Sequence, residues 1–366
     1  MQIGIIGGGQ LAMMLCEAAS KLGYSTIVLD PNPNCSAKQF CNQLICSAYD
    51  DLSGLEQLAQ TADVVTYEFE NVSVAGIDHI QKLYGNVVQT SKPLILSNDR
   101  LIEKQAALES GFAPAPFAPV SSVNEVRDFA SNVGYPIVLK TRKFGYDGKG
   151  QVVIKSEQEL ECDAAREIIS SGAIAEQMID LEFETSVIAI RSASGECQFI
   201  PSTINTHVNN ILSTSQTLTD NLDPHIYELV TKYLDYHNLI GIITVEVFIS
   251  RDGTVYFNEI APRPHNSGHY SIEGCNHSQF EMHLLAITDQ PLPEVKLLDQ
   301  TLMVNVLGQD YQSAKDFVNN NLSPNIHFHD YFKEAAITNR KMAHITAVGA
   351  SAIGLLKNYQ AKENNE

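Results

Sequence analysis

Positive charge is scarce in this sequence. The 366 residues include 24 Lys and Arg against 43 Asp and Glu, which gives a formal net charge of −19. An acidic surface repels the phosphates of nucleic acids and of anionic membranes, so neither is expected as a partner. A phosphorylated small molecule remains compatible with this composition, because a few basic side chains can converge in one cleft.

Long apolar runs and metal-type cysteine spacings are missing as well. The longest run of small and apolar residues, 345–356, is too short for a membrane span of about 20 residues. The apolar start of the chain has no basic leader and is interrupted by glycines, which argues against a secretory signal. Seven Cys, three of them (Cys35, Cys41 and Cys46) close together without zinc-site spacing, indicate reduced thiols. We therefore expect a cytoplasmic protein.

The chain is long enough for two or three globular domains. Hydrophobic residues make up 44% of it and charged residues only 18%, which excludes a disordered chain. Strands alternate with helices through the first ninety residues, which predicts a parallel sheet with strands at 3–6, 26–29, 63–66 and 86–88. The pattern then changes. We predict an α/β unit over 1–95, an α+β unit over 96–295 and a small unit over 296–366.

A first glycine cluster follows the first predicted strand and opens a helix. Gly7, Gly8 and Gly9 with Ala12 fit the dinucleotide-binding fingerprint, and Asp30 ends the second strand where an acidic residue would bind a ribose. This is the signature of a nicotinamide oxidoreductase. The alternative is that the glycines only permit a tight turn, whose amides bind some other anion. Features further along the chain favour the second interpretation.

A second glycine cluster follows the predicted strand 136–140. Gly145, Gly148 and Gly150 fall within six residues and are flanked by four basic residues, including Lys140 and Lys149. Backbone amides and lysines in a flexible loop suit a polyphosphate. A solvated surface hairpin is the alternative. The loop lacks the Lys-Ser/Thr ending of a P-loop, so a P-loop fold is not supported.

Two apolar strands at 241–250 and 254–260 flank Asp252 and Gly253, which predicts a hairpin with a two-residue turn. In that register Glu246 lies directly opposite Glu259, with Cβ atoms about 5 Å apart. Two buried like charges repel unless a cation or a shared proton lies between them. The neighbouring amide of Asn258 suits Mg²⁺, and with a three-residue turn it would face Glu246 instead. A shared-proton pair or a surface edge remain as alternatives.

The loop after the second strand carries several polar side chains close to the predicted metal. Residues 263–269 include a guanidinium, two imidazoles, an amide and a hydroxyl. A single histidine would usually be structural, but this density of polar groups predicts a grip on an anionic substrate beside the metal.

Together these residues resemble those of the ATP-grasp ligases, and in particular the synthetases that carboxylate 5-aminoimidazole ribonucleotide in purine biosynthesis. The resemblance covers nearly the whole chain. It rests on residues 7–11, 66–70, 98–100, 145–151, 176–177, 258–263, 265–269 and 340–342. Two departures are small: Phe144 stands where the family often has a glycine, and so does Ala343.

The resemblance implies a fold and a set of site residues. The fold would be a Rossmann-like pre-ATP-grasp domain, an ATP-grasp domain of two subdomains and a small C-terminal domain. By match, ATP would be bound by Arg100, Lys140, Gly145, Tyr146, Asp147, Gly148, Lys149, Gly150, Gln151, Glu176, Gln177, Met178, Ile179, Glu184, His207, Asn258 and Glu259. Mg²⁺ would be held by Glu246 and Glu259 with Asn258 beside them. The ribonucleotide would be surrounded by Glu68, Tyr146, Asp147, Arg263, His265, Asn266, Ser267, Arg340 and Lys341.

The implied reaction joins bicarbonate to the exocyclic amine of 5-aminoimidazole ribonucleotide through carboxyphosphate, at the expense of ATP. The catalytic group would be Tyr146, Asp147, Lys149 and Glu68, with Asp147 orienting or deprotonating the amine. A homodimer is the expected assembly. Three rivals are another ATP-grasp ligase such as a formate-dependent glycinamide ribonucleotide transformylase, the nicotinamide oxidoreductase, and a non-enzymatic nucleotide sensor. Both acidic metal positions argue against the sensor.

Overall fold

A computed structural model of the chain describes residues 1–143, 150–220 and 222–363. Its strands form three sheets, one parallel and two with antiparallel pairing. In the described part of the chain, no helix combines the length and the apolar character needed to cross a membrane.

The N-terminal unit is a parallel sheet, as predicted, and its strands lie in the order β3-β2-β1-β4. Alternate side chains of β1 enter two apolar clusters: Ile3 and Ile5 pack with α1, and Ile6 packs with α2 and α3. Helices on both faces explain why the strands are apolar throughout. The elements are β1 (Gln2–Ile6), α1 (Gln10–Lys21), β2 (Ser25–Leu29), β3 (Gln43–Ile45), α2 (Leu52–Thr61), β4 (Val64–Tyr67), α3 (Val74–Tyr84) and α4 (Lys92–Ser97).

The prediction of a strand at 86–88 is wrong, because these residues form no strand in the structure. The segment lies beside β4, where Val65 N donates one hydrogen bond to Asn86 O at 2.9 Å. The Asn86 side chain instead donates to the carbonyls of Ala59 and Ala62 at the end of α2. The chain then turns, with Thr90 at a positive φ of 24°, so a ladder cannot continue. The strand β3, which the sequence reading missed, forms the other edge.

The second sheet is small and antiparallel, with the order β5-β8-β6-β7. Its helices α6 and α7 pack on one apolar cluster that includes Val126, Leu139 and Ile168. Before it, α5 begins at the cap residue Asp99 and ends at Gly111, which has a φ of 86°. The elements are α5 (Arg100–Ser110), β5 (Phe117–Val120), α6 (Val123–Val133), β6 (Ile137–Thr141), β7 (Gln151–Ile154), α7 (Asp163–Ser170) and β8 (Ala173–Gln177).

The third sheet has eight strands in the order β13-β12-β9-β10-β11-β14-β16-β15. It continues through the predicted boundary at residue 295, because β14 pairs with β11. The last unit is therefore joined to the central one by backbone hydrogen bonds. The elements are β9 (Leu181–Arg191), β10 (Cys197–Val208), β11 (Ile211–Thr217), α8 (Pro224–His237), β12 (Gly241–Ser250), β13 (Val255–Ala261), α9 (Ser271–Gly274), α10 (Gln279–Ile287), β14 (Thr301–Leu307), α11 (Tyr311–Asn320), β15 (Ile326–Asp330), β16 (Lys341–Val348) and α12 (Ala350–Glu363).

A buried polar network joins the N-terminal unit to the large sheet. His283 on α10 contacts Thr66 Oγ1 at 2.9 Å through Nε2, and its Nδ1 accepts from Ile242 N at 3.2 Å. Gln89 donates to the carbonyls of Ile242 and Pro262. Every partner of the imidazole requires its neutral form with the proton on Nε2. Burial lowers the pKa of His283 to about 3.

This histidine predicts an acid dependence of stability. Its folded pKa lies below its unfolded value of about 6.5, so its contribution is complete above that pH and is lost as the pH falls toward 3. His283→Gln removes the titration. We expect the difference in unfolding free energy between wild type and variant to shrink by up to about 1.4 kcal/mol per pH unit below about pH 6.5. Urea unfolding at several pH values measures this, and a constant difference would contradict it.

Candidate active site

The first glycine turn is occupied by the chain's own carboxylates. Asp30 Oδ2 accepts from Gly8 N at 2.7 Å, and Glu68 accepts from Gly9 N at 2.5 Å and from Ala12 N at 2.8 Å. The amides at the start of α1, where a dinucleotide fingerprint would place a pyrophosphate, are therefore already bound. This favours the tight-turn interpretation over nicotinamide binding. Burial, only partly offset by these amides, raises the pKa of Glu68 to about 6.

The prediction of a two-residue turn is wrong, although the carboxylate pair that it implied, Glu246 and Glu259, is correct. Ser250 N donates to Thr254 O at 3.0 Å, so the loop has three residues. Between Glu246 and Val247 the register shifts by one, because Asn258 is an extra residue in β13. The bulge brings Glu246 back opposite Glu259. It also leaves Asn258 beside Glu246, with Nδ2 at 3.5 Å from Oε2.

The donor set around this bulge fits a divalent cation. Asn258 Oδ1 is a buried acceptor without a hydrogen-bond partner among the described residues. Burial and then repulsion by Glu246 raise the pKa of Glu259. No group of three or more His, Cys, Asp or Glu in the described ranges is arranged to hold a metal by itself. Two carboxylates and one amide oxygen therefore leave several ligands to come from a bound phosphate, which is the usual arrangement for Mg²⁺.

Two lysines and a glutamate form a buried cluster next to this bulge. Glu176 on β8 accepts from Lys140 at 3.0 Å and pairs with Lys104 at 3.3 Å. Burial alone would raise the pKa of Glu176, but the two lysines outweigh it and lower the pKa to about 2. The cluster has two positive charges and one negative charge. It keeps an excess positive charge, which suits a phosphate.

Arg100 is fixed at the junction of α5 and β6. Its backbone N donates to Arg142 O at 2.9 Å, and its Nη1 donates to Thr141 O at 3.0 Å. Arg142 in turn holds the cap residue Asp99 with two hydrogen bonds. The remaining Nη2 of Arg100 lies 3.8 Å from Glu259 Oε2. A cationic side chain is thus placed at the edge of the carboxylate pair.

The residues predicted to bind the nucleoside lie at the end of β8, on β9 and on β10. Met178 is 47% exposed although it is apolar. Glu184 Oε2 lies 2.9 Å from His207 Nδ1. Burial would lower the pKa of His207, but Glu184 outweighs this and raises it. At the end of β8 stand Glu176, Gln177, Met178 and Ile179, while Gly150 and Gln151 lie at the start of β7.

The polar loop after β13 joins the N-terminal unit to the carboxylate pair. Arg263 binds Glu70 through two hydrogen bonds, at 2.5 and 3.0 Å. His265 Nε2 lies 3.1 Å from Glu246 Oε1, and its Nδ1 lies 2.8 Å from Ser267 Oγ. Asn266 Oδ1 is buried without a partner in the described structure. The loop therefore offers an imidazole and a free amide acceptor on the side of Glu246.

One cation of the C-terminal unit, Lys341, approaches the same loop. Lys341 begins β16, and its charge opposes protonation of both His207 and His269. Arg340 precedes it and is exposed. The large sheet thus brings residues more than a hundred positions apart to one cleft. The predicted residues Gly145, Tyr146, Asp147, Gly148 and Lys149 lie outside the described residues.

Comparison with known proteins decides the family. Three family models match in order: a ribonucleotide synthetase preATP-grasp domain over residues 1–97, an ATP-grasp domain over 105–280 and a phosphoribosylaminoimidazole carboxylase C-terminal domain over 301–357. An N5-carboxyaminoimidazole ribonucleotide synthase of Staphylococcus haemolyticus is 38% identical over 99% of this chain and 97% of its own length. The chain belongs to the N5-carboxyaminoimidazole ribonucleotide synthase family.

Solved structures of family members agree with this assignment. A synthetase of Staphylococcus aureus complexed with ADP is 38% identical, with a TM-score of 0.92 over 99% of this chain and 96% of that one. A synthase of Aspergillus clavatus, in complex with ADP and 5-aminoimidazole ribonucleotide, is 26% identical, with a TM-score of 0.87 over 100% and 99%. The predicted ATP-grasp fold, with its preATP-grasp and C-terminal domains, is confirmed.

Sequence reasoning missed several charged residues at this N5-carboxyaminoimidazole ribonucleotide synthase site. Glu103 and Lys104 are both buried on α5, and Glu70 is the partner of Arg263. A signal was present for the first two. With Arg100 and Ala107 they occupy positions i, i+3, i+4 and i+7, the spacing of the buried face of a helix. Charged residues on that face indicate a polar cleft beneath it.

Proposed function

We propose that the chain carboxylates 5-aminoimidazole ribonucleotide with bicarbonate, using ATP, and so forms N5-carboxyaminoimidazole ribonucleotide in purine biosynthesis. The proposal is carried by one juxtaposition: the pair Glu246–Glu259 stands between the cationic cluster of Lys140 and the polar loop of His265. Phosphate chemistry and substrate capture thus have adjacent places. The glycinamide ribonucleotide transformylase alternative has no comparable support, because the relatives are named as the carboxylating synthase.

The chemistry follows from these places. Bicarbonate attacks the γ-phosphorus of ATP, and Arg100 and Lys140 stabilise the charge on the transferring group. Carboxyphosphate forms as ADP leaves, and the amine of the ribonucleotide then attacks its carboxyl carbon, or the CO₂ released from it, while phosphate leaves and the amine loses a proton. Asp147 is our proposed group for orienting or deprotonating the amine, and Tyr146, Lys149 and Glu68 are the other proposed catalytic residues.

We propose Mg²⁺ as the metal, held by Glu246, Glu259 and Asn258 with phosphate oxygens. When bound, it would neutralise charge on the phosphates. Arg100 and Lys140 would bind and orient the phosphates of ATP even before any chemistry. Arg100 and Lys140 lie on one side of the carboxylates and His265 on the other. A cytoplasmic homodimer is part of the proposal, and light scattering during size-exclusion chromatography measures the assembly.

The decisive assay follows ADP release. We expect ADP formation that requires bicarbonate and is strongly stimulated by 5-aminoimidazole ribonucleotide, with one carboxylated ribonucleotide formed for each ADP. Stimulation by glycinamide ribonucleotide and formate instead would assign the chain to the transformylase reaction.

The cofactor choice gives a separate prediction. Asp30 and Glu68 already bind the amides of the first glycine turn, so a dinucleotide pyrophosphate has no donors there. Calorimetry is expected to show Mg-ATP binding in the micromolar range or tighter, and no heat of binding for NAD or NADP. Micromolar binding of a nicotinamide cofactor without binding of ATP would overturn the proposed function.

A further inference from the structure

Strand β13, which carries Glu259, is an edge strand of the large sheet. Its inner side pairs with β12 in the bulged register. On its outer side, Phe257 N donates to Ala113 O at 2.9 Å. Beyond that bridge the outer side faces α5, a helix, which cannot offer a backbone ladder. Backbone groups at that edge therefore need side-chain partners if they are buried.

Adjacent residues of α5 supply those partners on both sides of Glu259. Glu103 Oε1 accepts from Ile260 N at 2.7 Å. Lys104 Nζ donates to Asn258 O at 3.2 Å. Both side chains are almost completely buried, at 2% and 1% exposure. The backbone is thus held at the residue before Glu259 and at the residue after it.

Lys104 also reaches the nucleotide side of the cleft. Its Nζ lies 3.3 Å from Glu176 Oε1, and Glu176 Oε2 accepts from Lys140 at 3.0 Å. The bulge of β13 is therefore linked through two charge-assisted contacts to Lys140 on β6 of the smaller sheet. The carboxylate strand and the phosphate lysine belong to different sheets, and Lys104 spans the gap between them.

We propose that Glu103 and Lys104 are positioning residues for the reaction proposed above. They hold β13 at the bulge and so set the place of Glu259. Through Glu176, Lys104 also sets the distance from that strand to Lys140. Neither side chain need touch a substrate.

The two residues have separable effects. The hydrogen bond of Glu103 in the described structure goes to β13, whereas Lys104 contacts both β13 and Glu176. A glutamine has the same shape, and its amide oxygen keeps the acceptor for Ile260 N. Glu103→Gln is therefore the conservative variant, and Glu103→Leu removes the acceptor.

The experiment uses the full chain and measures two constants: the Mg²⁺ concentration for half-maximal ADP formation, and the affinity for ATP in EDTA. For Glu103→Leu we expect the first to rise at least about tenfold while the second stays at the wild-type value. For Lys104→Met both should weaken at least about tenfold. Glu103→Gln should match wild type. Lys315→Met, which removes the same ammonium from a contact with Asp330 on β15, the edge strand at the other end of the large sheet from β13, is the matched control.

Melting temperatures are measured alongside, and all assays run well below them. If Glu103→Leu and Lys104→Met only lower the melting temperature and keep both constants, the pair is structural and the proposal is overturned. Should Glu103→Leu not fold, Lys104→Met decides it with the same two constants. Failure of the wild type to bind Mg-ATP would instead overturn the proposed function, so the two failures are distinct.

Discussion

Replacing Glu259 by glutamine is expected to lower turnover at least about a hundredfold at saturating Mg²⁺ and leave the fold intact. Glu259 and Glu246 stand opposite each other, and the buried oxygen of Asn258 points to no protein donor among the described residues. If a cation joins these groups to the phosphates of ATP, an amide at position 259 removes a charge from the position where the metal must be held. Steady-state ADP release measures the loss.

The same variant makes an opposite prediction for stability without metal. Burial and Glu246 raise the folded pKa of Glu259 above its unfolded value, so the ionised side chain destabilises the fold at neutral pH. Glutamine lacks this charge. The metal-free melting temperature of Glu259→Gln should therefore equal or exceed that of wild type, while turnover is lost.

A matched control is Glu228→Gln, the same chemical change on the exposed face of α8. It should change neither turnover nor the Mg²⁺ requirement. The double variant Glu246→Gln with Glu259→Gln should be little worse than either single variant, because the two carboxylates would act on one ion. Near-normal turnover of Glu259→Gln at saturating Mg²⁺ would exclude the metal role.

The sequence predicted the carboxylate pair because hairpin geometry is local. Alternating apolar residues and Asp252-Gly253 fix two strands, and any short turn brings Glu246 near Glu259. The sequence could not reveal that the turn has three residues, nor that the bulge at Asn258 reverses the resulting one-residue shift in strand register. That outcome depends on α5, which holds the outer edge of β13 through contacts with Glu103 and Lys104.

Long-range pairing also explains what could not be predicted. The segment Asn86–Val88 was predicted as a strand. In the structure the side chain of Asn86 instead donates to two carbonyls at the end of α2. Likewise, the residues near Lys104 in the sequence do not predict its ion pair with Glu176, because Glu176 lies on a strand of another sheet. The resemblance to ATP-grasp ligases supplied the fold, whereas the contacts of the buried charges required the structure.

The second large effect concerns how so acidic a chain binds a ribonucleotide that carries a 5′-phosphate. Arg263, one of the three cationic residues predicted to surround the ribonucleotide, binds Glu70 through two hydrogen bonds. Burial opposes the ionisation of Glu70 and would raise its pKa. The charge of Arg263 outweighs burial and lowers the pKa of this carboxyl. A neutralised guanidinium contributes little net positive potential. The phosphate therefore depends more heavily on Arg340 and Lys341.

Lys341→Ala is accordingly expected to raise KM for 5-aminoimidazole ribonucleotide at least about tenfold, the scale of one lost charge-assisted contact. Lys341 lies close enough to His207 and His269 for its charge to oppose their protonation, which supports the proposed role beside the cleft. KM for ATP should barely change, because Arg100 and Lys140 are our proposed phosphate ligands of the nucleotide. Steady-state kinetics with each substrate varied in turn separates the two.

The control is Lys357→Ala, an exposed lysine on α12 in the same C-terminal unit. It removes the same charge from the acidic chain, so a general electrostatic effect would appear in both variants, whereas a direct contact appears only at Lys341. Raising the salt concentration should narrow the difference between wild type and Lys341→Ala, since screening weakens the contact that the variant lacks. An unchanged KM for the ribonucleotide, or an equal loss of apparent ATP affinity, would show that Lys341 does not bind the ribonucleotide as proposed. In that case the C-terminal unit would close the cleft by its fold alone, through the pairing of β14 with β11.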